Sequence, residues 1–525
     1  MVGDHQNGLG GLYAHTLFDH NFCRGEKFIV HSVPPVWLLR CLFKKPPTKI
    51  LFPCFGINTI LLDLKFTANN RRGTMAKIHP FRGVRYSPEK FGRDITDLVT
   101  QPYDKITPEM QEEYYRRHPK NFVRIVLGKK FASDDEYHNY YVRAAGYLNC
   151  WLEDGVFVEE EKPAIYVYHQ EFEVDGKPVV RKGFVALAEL EPPGKGVKAH
   201  EKTLAGPKAD RLNLTRHIRA QVGHIFMLYS DPERKIDQIL EKAIEGREPD
   251  IVAKDWFGNT HKMWRVDDPE IIAQVQKNME DKTLFIADGH HRYETAVNYW
   301  QECEKKGLEP EPGATETFRN RMMTFVNMDD PGLVVLPTHR VVHSIPDFDL
   351  DDFEKKVAEN FVVEPIAFSD SDKKEKFESA MERLAQYGAE GKHSFLFVPS
   401  KGNRMLLLTL KDESIMDRAI SEPVSADWKR LDVSILHKLI LEDILGIDAK
   451  ALEEKRNLYY IREKEKGFEY MEKDPAVIGV FYMNPTKVEE VKKIASAGER
   501  MPQKSTDFYP KLLTGMIFNR LRFKE

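Results

Sequence analysis

The stretch TLFIADGHHRYETAVNYW, residues 283–300, contains two hydrophobic patterns in succession. The short apolar run at 284–287 is typical of a buried strand. After the break at Asp288-Gly289, apolar side chains recur at the spacing of a helix. The sequence therefore predicts a strand followed at once by a helix that begins near His290. Such an alternation favours an α/β, or mixed α+β, chain.

The predicted junction between strand and helix has the features of a phosphate-binding turn. The first backbone N–H groups of a helix lack internal acceptors and carry the positive end of the helix dipole. Gly289 leaves room for a ligand at the backbone, and His290, His291 and Arg292 add side-chain donors. Arginine suits bidentate contact with phosphate oxygens. Asp288, at the carboxyl end of the strand, is placed to hold Mg²⁺ or to accept a proton from a hydroxyl.

A purely structural interpretation of this turn competes with the functional one, because an Asp-Gly turn can simply cap a helix and adjacent histidines can lie at the surface. Five ionisable residues within seven positions favour function. We take Asp288, His290, His291 and Glu294 as candidate catalytic residues, with Asp288 as the candidate metal ligand. A zinc site at the two histidines is disfavoured, because neighbouring side chains in a first turn diverge and no HExxH sequence occurs.

Composition limits the class of protein. The chain has 525 residues, more than one ordinary core accommodates, so two or three packing units are expected. Hydrophobic residues make up 42% and charged residues 30%, which excludes wholesale disorder. The net charge of −4 excludes a global basic field for non-specific nucleic-acid binding. No apolar run is long enough to span a membrane and the cysteines form no CxxC pair, so we expect a cytoplasmic protein.

Changes in pattern divide the chain into expected regions. Residues 1–74 show little periodicity, and the coherent pattern begins after Met75. We expect residues 1–74 to lie outside the working protein, either as translated upstream sequence with Met75 as the natural start or as an extension that docks on the surface. The other expected regions are an N-terminal α/β region at 75–195, a phosphate-binding core at 196–345, an inserted α/β unit at 346–420 and a C-terminal region at 421–525 that returns to the site.

Local patterns predict several further elements. Asp175-Gly176 between two alternating apolar runs predicts a β-hairpin over 164–190. Thr107 and Pro108 form a typical helix start. The other predicted elements are a strand at 122–127 and helices at 134–153, 206–220, 232–244, 268–279, 430–444 and 449–456.

Residues 200–221, HEKTLAGPKADRLNLTRHIRAQ, combine a predicted helix with a concentration of cations. Gly206-Pro207 opens the helix, since proline is favoured at an early helical position. Either the cationic surface faces an anionic ligand, or it is a solvated basic face. The cations are Lys202, Lys208, Arg211, Arg216 and Arg219, of which Lys208 and Arg211 are candidate phosphate ligands.

Two polar turns supply further candidates. Residues 498–511, GERMPQKSTDFYPK, form a loop by composition yet are rich in hydrogen-bond donors. Residues 100–109, TQPYDKITPE, form a proline-flanked turn before a helix. Each turn either binds a ligand or has a purely structural role. The candidate ligand-binding residues in these turns are Tyr103, Asp104, Lys504, Ser505 and Thr506.

From about Lys77 to Lys511 the chain resembles a bacterial and archaeal family known only as domain-of-unknown-function family 1015. Five motifs occur in the same order as in that family: HPFRGVRY, QPYDKI, HEKTLAGPKADRL, ADGHHRYETA and MPQKSTDFYPK. Motifs in a fixed order over most of the chain make the resemblance specific. Residues 1–74 have no counterpart in the family pattern.

The DGHHR element at 288–292 resembles, over that short stretch, the phosphate-binding motif of the ParB/sulfiredoxin superfamily. The resemblance implies a ParB/sulfiredoxin-like core, elaborated by N-terminal and inserted α/β units, with residues 288–292 holding nucleotide phosphates. Free-serine kinases of that superfamily carry a similar form. They imply phosphoryl transfer from a nucleotide, with ATP as expected donor and Mg²⁺ as cofactor, to free L-serine, giving O-phospho-L-serine. The expected substrate-binding residues are His200, Glu201, Tyr103, Asp104, Lys504, Ser505 and Thr506.

Two other functions remain open from the sequence. Likeness to ParB suggests a nucleotide-binding or hydrolysing switch without small-molecule kinase activity, and the same turn would serve a hydrolase acting on a phosphorylated metabolite. The missing basic field and the lack of a recognisable helix-turn-helix argue against a DNA-partitioning switch. We therefore expect a nucleotide and a small molecule as partners, no membrane and no nucleic acid, with homodimer formation left open.

Overall fold

The computed structural model describes residues 76–191, 197–199, 205–448, 450–451, 456–502 and 504–524, without the side chains of 205–207. These residues belong to one compact unit. The expected extension at 1–74 and the candidate substrate-binding residues His200 and Glu201 lie outside the described residues, as does most of the helix predicted at 449–456. Among the described residues, no helix has both the length and the apolar character needed to cross a membrane.

Alternating and continuous apolar runs form the strands of the described chain. In chain order these strands are β1 (Ile78–His79), β2 (Val84–Tyr86), β3 (Phe157–Glu159), β4 (Ile165–Val174), β5 (Lys177–Glu189), β6 (Val197–Lys198), β7 (Ala220–Gln221), β8 (Ile225–Tyr229), β9 (Ile251–Lys254), β10 (Thr260–Val266), β11 (Leu284–Asp288), β12 (Asn320–Asn327), β13 (Val334–Leu336), β14 (His339–His343), β15 (Phe361–Ala367), β16 (Ser394–Pro399), β17 (Arg404–Leu410), β18 (Leu458–Ile461), β19 (Val477–Met483), β20 (Asp507–Tyr509) and β21 (Asn519–Arg520).

Polar residues begin most helices. The Thr107 side chain, for example, accepts a hydrogen bond from the N–H of Met110 at 3.2 Å, as its position before a helix predicts. In chain order the α-helices of the described residues are α1 (Pro88–Phe91), α2 (Pro108–Arg117), α3 (Val123–Val126), α4 (Tyr140–Glu153), α5 (Ala205–Ile218), α6 (Lys235–Ile244), α7 (Pro269–Met279), α8 (His290–Lys305), α9 (Leu350–Val357), α10 (Lys373–Ala389), α11 (Ile415–Ala419), α12 (Ala426–Lys429), α13 (Asp432–Ile435), α14 (Glu465–Lys473) and α15 (Val488–Ser496). A 3₁₀ turn occupies Tyr103–Lys105, and a π-helical segment occupies Leu436–Glu442.

The larger sheet has nine strands among the described residues, in the order β6-β11-β8-β12-β5-β4-β10-β9, with β1 paired to β5. β11 runs parallel to β6 and antiparallel to β8, so the sheet is mixed. Val185 and Leu187 of β5 belong to a core with α3, α4 and α5, whereas Phe184 and Ala186 belong to a core with α6, α7 and α8. Successive side chains of a strand point to opposite faces, so helices cover both faces. The expected mixed α+β class is confirmed.

β4 and β5 form the predicted hairpin, paired antiparallel up to Val174 and Lys177. The turn residues Asp175 and Gly176 have φ of 49° and 73°. Positive φ at both positions is the conformation that a two-residue type I′ hairpin requires, and it explains the Asp-Gly pair. The hairpin prediction is confirmed.

The smaller sheet has six strands among the described residues, all antiparallel, in the order β15-β17-β16-β19-β14-β18. Phe353 and Val357 of α9 pack in the core on one face, and Phe377 and Leu384 of α10 pack in the core on the other. β14, β18 and β19 come from outside residues 346–420. The expected inserted unit therefore does not form this sheet by itself.

The strand predicted at 122–127 is wrong, because Val123–Val126 form a single turn of helix, α3. The Asn121 side chain accepts a hydrogen bond from the N–H of Val123 at 2.9 Å, which starts the turn. Val123, Ile125 and Val126 are all buried. Residues 122–127 are apolar except for Arg124. A short run of this kind is compatible with a buried strand and with a buried helix, and periodicity does not separate the two.

Three other elements differ in part from their predictions. The helix predicted at 134–153 begins at Tyr140, because the Asn139 side chain accepts hydrogen bonds from two N–H groups of the first turn. The helix predicted at 430–444 is α13 followed by the π-helical segment. Residues 498–511, predicted to be a loop, contain β20, which pairs with β13.

Candidate functional site

The predicted junction of strand, turn and helix is present. β11 ends at Asp288, Gly289 has φ 96° and ψ 28°, and α8 begins at His290. This left-handed conformation favours glycine, and a Cβ on Gly289 would lie 3.1 Å from guanidinium atoms of Arg292. The N-cap residue of α8 is Gly289, which has no side chain to accept a hydrogen bond from the first turn. The first turn of the helix therefore has backbone N–H groups whose acceptors must come from outside the helix.

This junction forms one wall of a cavity of about 460 Å³, which we call the turn cavity. Its volume lies in the range of small-molecule sites. The other walls come from the 3₁₀ turn, from β18 and β20, and from residues just before β20. Among its charged and polar lining residues are Asp104, Lys105, Asp288, His290, His291, Arg292, Arg462, Glu463, Lys466, Lys504, Thr506, Asp507 and Lys511. Its aromatic lining residues are Tyr103, Phe257, Tyr460 and Tyr470, apart from the histidines.

Asp288 belongs to an ion-pair network in the turn cavity. Its carboxylate accepts a hydrogen bond from Nη2 of Arg292 and lies 3.4 Å from Nζ of Lys511. Burial raises the pKa of Asp288, but the charges of Lys511, Arg292 and Lys105 outweigh that effect, so the pKa lies well below its usual value. The carboxylate is therefore ionised at neutral pH.

The network continues through Lys511, which also pairs with Asp507 at 2.8 Å. Burial lowers the pKa of Lys511, but Asp507 and Asp288 raise it above its usual value. Nη1 of Arg462 lies 3.7 Å from Oδ2 of Asp507, and the Arg462 guanidinium carbon lies 5.0 Å from the centre of the Phe257 ring. A chain of alternating charges thus runs from the end of β11 in the larger sheet to the end of β18 in the smaller one.

Arg292 supports the turn from within the protein. Its Nη1 donates to the carbonyl of His224 and its Nη2 donates to Asp288, and only 9% of the residue is exposed. The side chain folds back beneath Gly289. The sequence predicted bidentate contact between Arg292 and phosphate. This geometry does not favour that contact, because both terminal nitrogens are engaged with protein acceptors.

Lys105 and Asp104 differ from this network, because neither side chain forms a hydrogen bond or an ion pair with a described residue. Both line the turn cavity. The charge of Lys511, together with burial, lowers the pKa of Lys105. Asp104 is exposed. Lys105 and Asp104 therefore supply the cavity with a cation and a carboxylate that lack a described protein partner, and both are available to a ligand.

Lys504 lies in the loop before β20 and has φ of 60°. Its backbone carbonyl accepts a hydrogen bond from Nη2 of Arg340 at 3.2 Å. Arg340 is fully buried on β14 of the smaller sheet. The Lys504 side chain is exposed and, among the described residues, has no ion-pair partner. The smaller sheet therefore fixes the backbone of a lysine whose charge faces the turn cavity.

Most predicted site residues that the structure describes come together in the turn cavity. They are Tyr103, Asp104, Asp288, Gly289, His290, His291, Arg292, Lys504 and Thr506. His290 is almost fully buried. Burial lowers the pKa of His291 below its ordinary value, so its imidazole is neutral at pH 7. Four other predicted residues, Glu294, Lys208, Arg211 and Ser505, lie elsewhere.

Glu294 and Lys208 pair with each other away from the turn cavity. Nζ of Lys208 donates to Oε2 of Glu294 at 3.0 Å, and Nη1 of Arg500 lies 3.5 Å from Oε1 of Glu294. Glu294 lines a separate cavity of about 130 Å³. The catalytic role expected for Glu294 and the phosphate contact expected for Lys208 do not fit these positions, because each charge is directed to the other.

The side chains of Arg211 and Ser505 form hydrogen bonds with other residues of the protein. Nε of Arg211 donates to Asp210 at 2.9 Å, and Nη1 donates to the carbonyl of Val126 at 2.7 Å. The Ser505 hydroxyl donates to the carbonyl of Pro502 at 2.6 Å. Both residues are buried. The phosphate contact expected for Arg211 and the substrate contact expected for Ser505 do not fit, because neither side chain reaches the turn cavity.

Asp104 and Asp288 supply carboxylate oxygens to the same cavity, and Mg²⁺ prefers such ligands. Among the described residues, no group of three or more His, Cys, Asp or Glu residues could hold a metal ion. The donor set therefore does not suit a metal that is enclosed by protein ligands alone. It suits Mg²⁺ held by one or two carboxylates together with the phosphates of a substrate.

Among the lining residues of the turn cavity that sequence reasoning missed are Lys105, Arg462, Asp507 and Lys511. Lys105, Asp507 and Lys511 lie in the QPYDKI and STDFYPK motifs, which were recognised, so their position beside predicted residues was a usable signal. Arg462 directly follows β18, which the sequence patterns did not predict. No local signal marked Arg462.

Comparison with solved structures gives only distant likenesses. A conserved hypothetical protein from Pyrococcus furiosus is 14% identical with a TM-score of 0.29, and the match covers 62% of this chain and 90% of that one. A free serine kinase in complex with AMP is 14% identical with a TM-score of 0.31, covering 64% of this chain and 91% of that one. A mutant free serine kinase in complex with ADP is 14% identical with a TM-score of 0.31, covering 64% and 92%. Scores this low carry no argument about function.

No curated protein matches the chain. The sequence model of one family, described as a protein of unknown function (DUF1015), matches residues 78–434. This range is more than half of the chain and includes four of the five quoted motifs, with only the motif at 501–511 beyond it. The expectation drawn from the order of the motifs is confirmed. The chain belongs to the DUF1015 family of proteins of unknown function.

Proposed function

We propose that the protein is a small-molecule kinase that transfers a phosphoryl group from a nucleotide, with ATP as expected donor, to the hydroxyl of free L-serine, giving O-phospho-L-serine. One observation carries the kinase proposal. The turn at Gly289 opens, at the start of a helix, into a cavity that also contains a lysine and a carboxylate without described protein partners. Phosphoryl transfer requires chiefly positioning and charge neutralisation, and these parts supply both.

Phosphate binding is assigned to the turn and to two lysines. Backbone N–H groups at the start of α8 suit phosphate oxygens, and Gly289 lets a ligand approach the backbone. Lys105 and Lys504 add positive charge, one from the 3₁₀ turn and one from the loop before β20. Lys208 and Arg211 are left out of this proposal, because Glu294 and Asp210 engage their charges.

The two carboxylates have different proposed roles. Asp288 is held ionised by Lys511 and Arg292, so it is a weak base and is better suited to fix cations around the phosphates. Asp104 is exposed and has no described partner, so it is free to hold Mg²⁺ or to orient the attacking hydroxyl. Mg²⁺ would neutralise charge on the phosphate oxygens. His290 lines the same cavity.

The aromatic lining of the turn cavity supports a nucleotide as donor. Phe257 is 51% exposed although it is a large apolar residue, and it lines the cavity together with Tyr460 and Tyr470. A nucleobase would cover such rings through stacking. A volume of about 460 Å³ lies within the range typical of small-molecule and cofactor sites. L-Serine as acceptor rests on the resemblance of the DGHHR element to free-serine kinases.

The test is an assay of the full-length chain with ATP or ADP, Mg²⁺ and a panel of amino acids, followed by ³¹P NMR. We expect a phosphoserine signal only with serine, and nucleotide conversion in equal amount. Lys401→Ala, which removes an exposed lysine that does not line the cavity, is the matched control and should keep full activity. Nucleotide hydrolysis that is independent of serine would instead support a switch or a hydrolase. Phosphorylation of another hydroxyl compound would keep the kinase and change its acceptor.

A further inference from the structure

A second cavity, which we call the arginine cavity, lies beneath α8 and has a volume of about 50 Å³. One face of α5 and one face of α8 line it, together with the start of β12. Most of its wall is apolar, with Leu214, Ile218 and Phe318 among the lining residues. Three arginines also line it, Arg211, Arg292 and Arg321. Cations beside a small apolar space are stable only when each one has a counter-charge or hydrogen-bond acceptors.

Two of these arginines are neutralised by acids. Arg211 pairs with Asp210, and Arg292 pairs with Asp288. Arg321 forms no ion pair with a described residue. Its Nη2 donates to the carbonyl of Gly223, and its Nε is buried without a hydrogen-bond partner. Only 7% of Arg321 is exposed. The arginine cavity therefore contains one buried positive charge that no described residue compensates.

A buried charge of this kind is unfavourable unless an anion or a full set of hydrogen-bond acceptors accompanies it, because the charge has lost its water. Burial, and after it the charge of Arg292, lower the pKa of Arg321 to about 9. The residue cannot move away easily. It lies on β12, which is paired with β5 on one side and β8 on the other. The sheet thus holds an uncompensated guanidinium at the wall of an open space.

Arg181 shows how the protein satisfies a buried arginine when no ligand is needed. It lies on β5 and is also fully buried. Its Nε donates to Gln170 at 3.0 Å, its Nη1 donates to the carbonyl of Tyr509 at 3.0 Å, and its Nη2 donates to Gln170 and to the carbonyl of Pro510. Every nitrogen of Arg181 has a protein acceptor, whereas Arg321 has one acceptor in all among the described residues. The difference points to a ligand at Arg321.

We infer that the arginine cavity binds one carboxylate group through Arg321 and that, given the kinase proposed above, this group is the carboxylate of the acceptor amino acid. The charge to be compensated is a single one, which suits a monoanion and disfavours a phosphate dianion. A buried water needs about 10–15 Å³ measured in this way, so about 50 Å³ has room for roughly three to five water-sized groups. A carboxylate fits this space and a nucleotide does not.

The arginine cavity adjoins the turn cavity, because Tyr103 and Arg292 line both. An amino acid whose carboxylate contacts Arg321 would therefore extend its side chain toward the turn at Gly289. Only this identification of the ligand rests on the proposed function. The existence of a carboxylate site rests on the burial and the missing partners of Arg321.

The test compares Arg321→Met with the matched control Arg319→Met. Arg319 is exposed and has its own partner, Glu304. In Arg321→Met we expect KM for L-serine to rise about 10–100-fold, the range for losing one charge-assisted hydrogen bond, while KM for ATP stays within about twofold. Ethanolamine lacks the carboxylate, so its kcat/KM should be the same in Arg321→Met and in the wild type. Arg319→Met should behave as the wild type with both acceptors.

Binding without turnover separates this inference from the kinase proposal. L-Serine and acetate should raise the unfolding temperature of the wild-type chain, and neither should do so in Arg321→Met. That result, combined with no phosphoserine formation, would keep the carboxylate site and reject the kinase. Phosphoserine formation with an unchanged KM for serine in Arg321→Met would reject the carboxylate site and keep the kinase. Should Arg321→Met fail to fold, Arg321→Gln, which removes the charge and keeps a polar side chain, is the second variant, and a KM for serine equal to that of the wild type would overturn the inference.

Discussion

Helix α5 and residues 504–511 are both rich in cations, yet the structure uses their charges differently. In α5, Lys208 pairs with Glu294 of α8 and Arg216 pairs with Glu302 of α8 at 2.6 Å. In residues 504–511, Lys504 has no described ion-pair partner, and Lys511 lies between two carboxylates at the wall of the turn cavity. The density of charge along the sequence is similar. The availability of charge depends on acids that are far away in the sequence.

The backbone of residues 504–511 is held by a buried arginine from each sheet. Arg340 of the smaller sheet donates to the carbonyl of Lys504 at 3.2 Å, and Arg181 of the larger sheet donates to the carbonyl of Tyr509 at 3.0 Å. Gln170 donates to the carbonyl of Lys511 at 3.0 Å. These contacts fix the lysines of this segment relative to both sheets. In α5, ion pairs hold the cationic side chains in place. In residues 504–511, hydrogen bonds hold the backbone in place, and the charge of Lys504 is available to a ligand.

The largest effect is expected for Asp288→Asn, which removes the charge at the junction between the network and the turn. We expect kcat for phosphoserine formation to fall about 1,000-fold, because a carboxylate that positions the cationic side chains around a transferring phosphate contributes several kcal/mol. Asp370→Asn is the matched control, since Asp370 is exposed and has no described partner. Turnover above about one tenth of the wild-type rate in Asp288→Asn would remove this residue from the proposed site.

Asp288→Asn should also change stability in a pH-dependent manner. The folded-state pKa of Asp288 is depressed, so its contribution to stability is present above the unfolded-state value of about 3.9 and is lost as the pH falls further. The variant should lose about 1–3 kcal/mol of unfolding free energy at pH 7, because two cations lose a compensating charge. Urea titrations of both proteins at pH 7 and below pH 4 measure this. A difference that grows on acidification would contradict the assigned ion pairs.

The second largest effect is expected for Lys105→Ala. Lys105 has no described partner, so its removal takes away charge from a ligand without breaking an ion pair in the free protein. We expect the Kd for ADP to rise about 10–100-fold, the range for a charge-assisted hydrogen bond. Lys401→Ala is the control, and calorimetric titration is the measurement. An unchanged Kd for ADP would exclude Lys105 from phosphate binding.

The parts of the fold that the sequence predicted depend on residues that are neighbours in the chain. Asp175-Gly176 requires positive φ at two adjacent positions, and Gly289 requires it at one, so turn chemistry marked both. α3 was missed because its single turn, apolar except for Arg124, is too short to show a period. The unit expected at 346–420 contains only part of the smaller sheet, because β14 pairs with β18 more than a hundred residues later. No local pattern specifies such a pairing.

In the site, too, the features that were predicted depend on residues that are neighbours in the chain. The turn at 288–292 was predictable, because its residues are consecutive and combine glycine with several ionisable side chains. The partners of each charge were not predictable. Arg292 was expected to face a ligand, but it donates to the carbonyl of His224, and Arg211 is occupied by Asp210 and by Val126. Which cations remain available is decided by tertiary packing.

A smaller effect is expected from pH. The charge of Lys511 and burial lower the pKa of Lys105, so Lys105 loses its proton below the ordinary lysine value of about 10.4. Binding of ADP should therefore weaken about 3–10-fold between about pH 8 and pH 10. Lys511 keeps its charge in this window because its pKa is raised, and Tyr103, with a pKa raised by burial to about 12, stays neutral.

Lys105→Arg provides the control for this pH dependence, because arginine remains protonated throughout the window. Its Kd for ADP should be nearly constant from about pH 8 to pH 10. A loss of affinity of the same size in Lys105→Arg would show that another group causes the change, and it would remove the assigned role of Lys105 charge.

The smallest effect, Lys208→Ala, tests the comparison most directly. Lys208 was expected from the sequence to contact phosphate, but its Nζ donates to Glu294 and it does not line the turn cavity. The Kd for ADP should change less than about twofold, and the unfolding free energy should fall by about 0–1 kcal/mol, as for a partly exposed ion pair. Glu294 keeps Arg500 as a partner, at 3.5 Å, which limits the cost. If Lys208→Ala weakens ADP binding as strongly as Lys105→Ala, then the ion pair with Glu294 opens for the ligand. In that case the contrast between α5 and residues 504–511 describes only the unliganded protein, because a ligand phosphate would compete with Glu294 for the lysine.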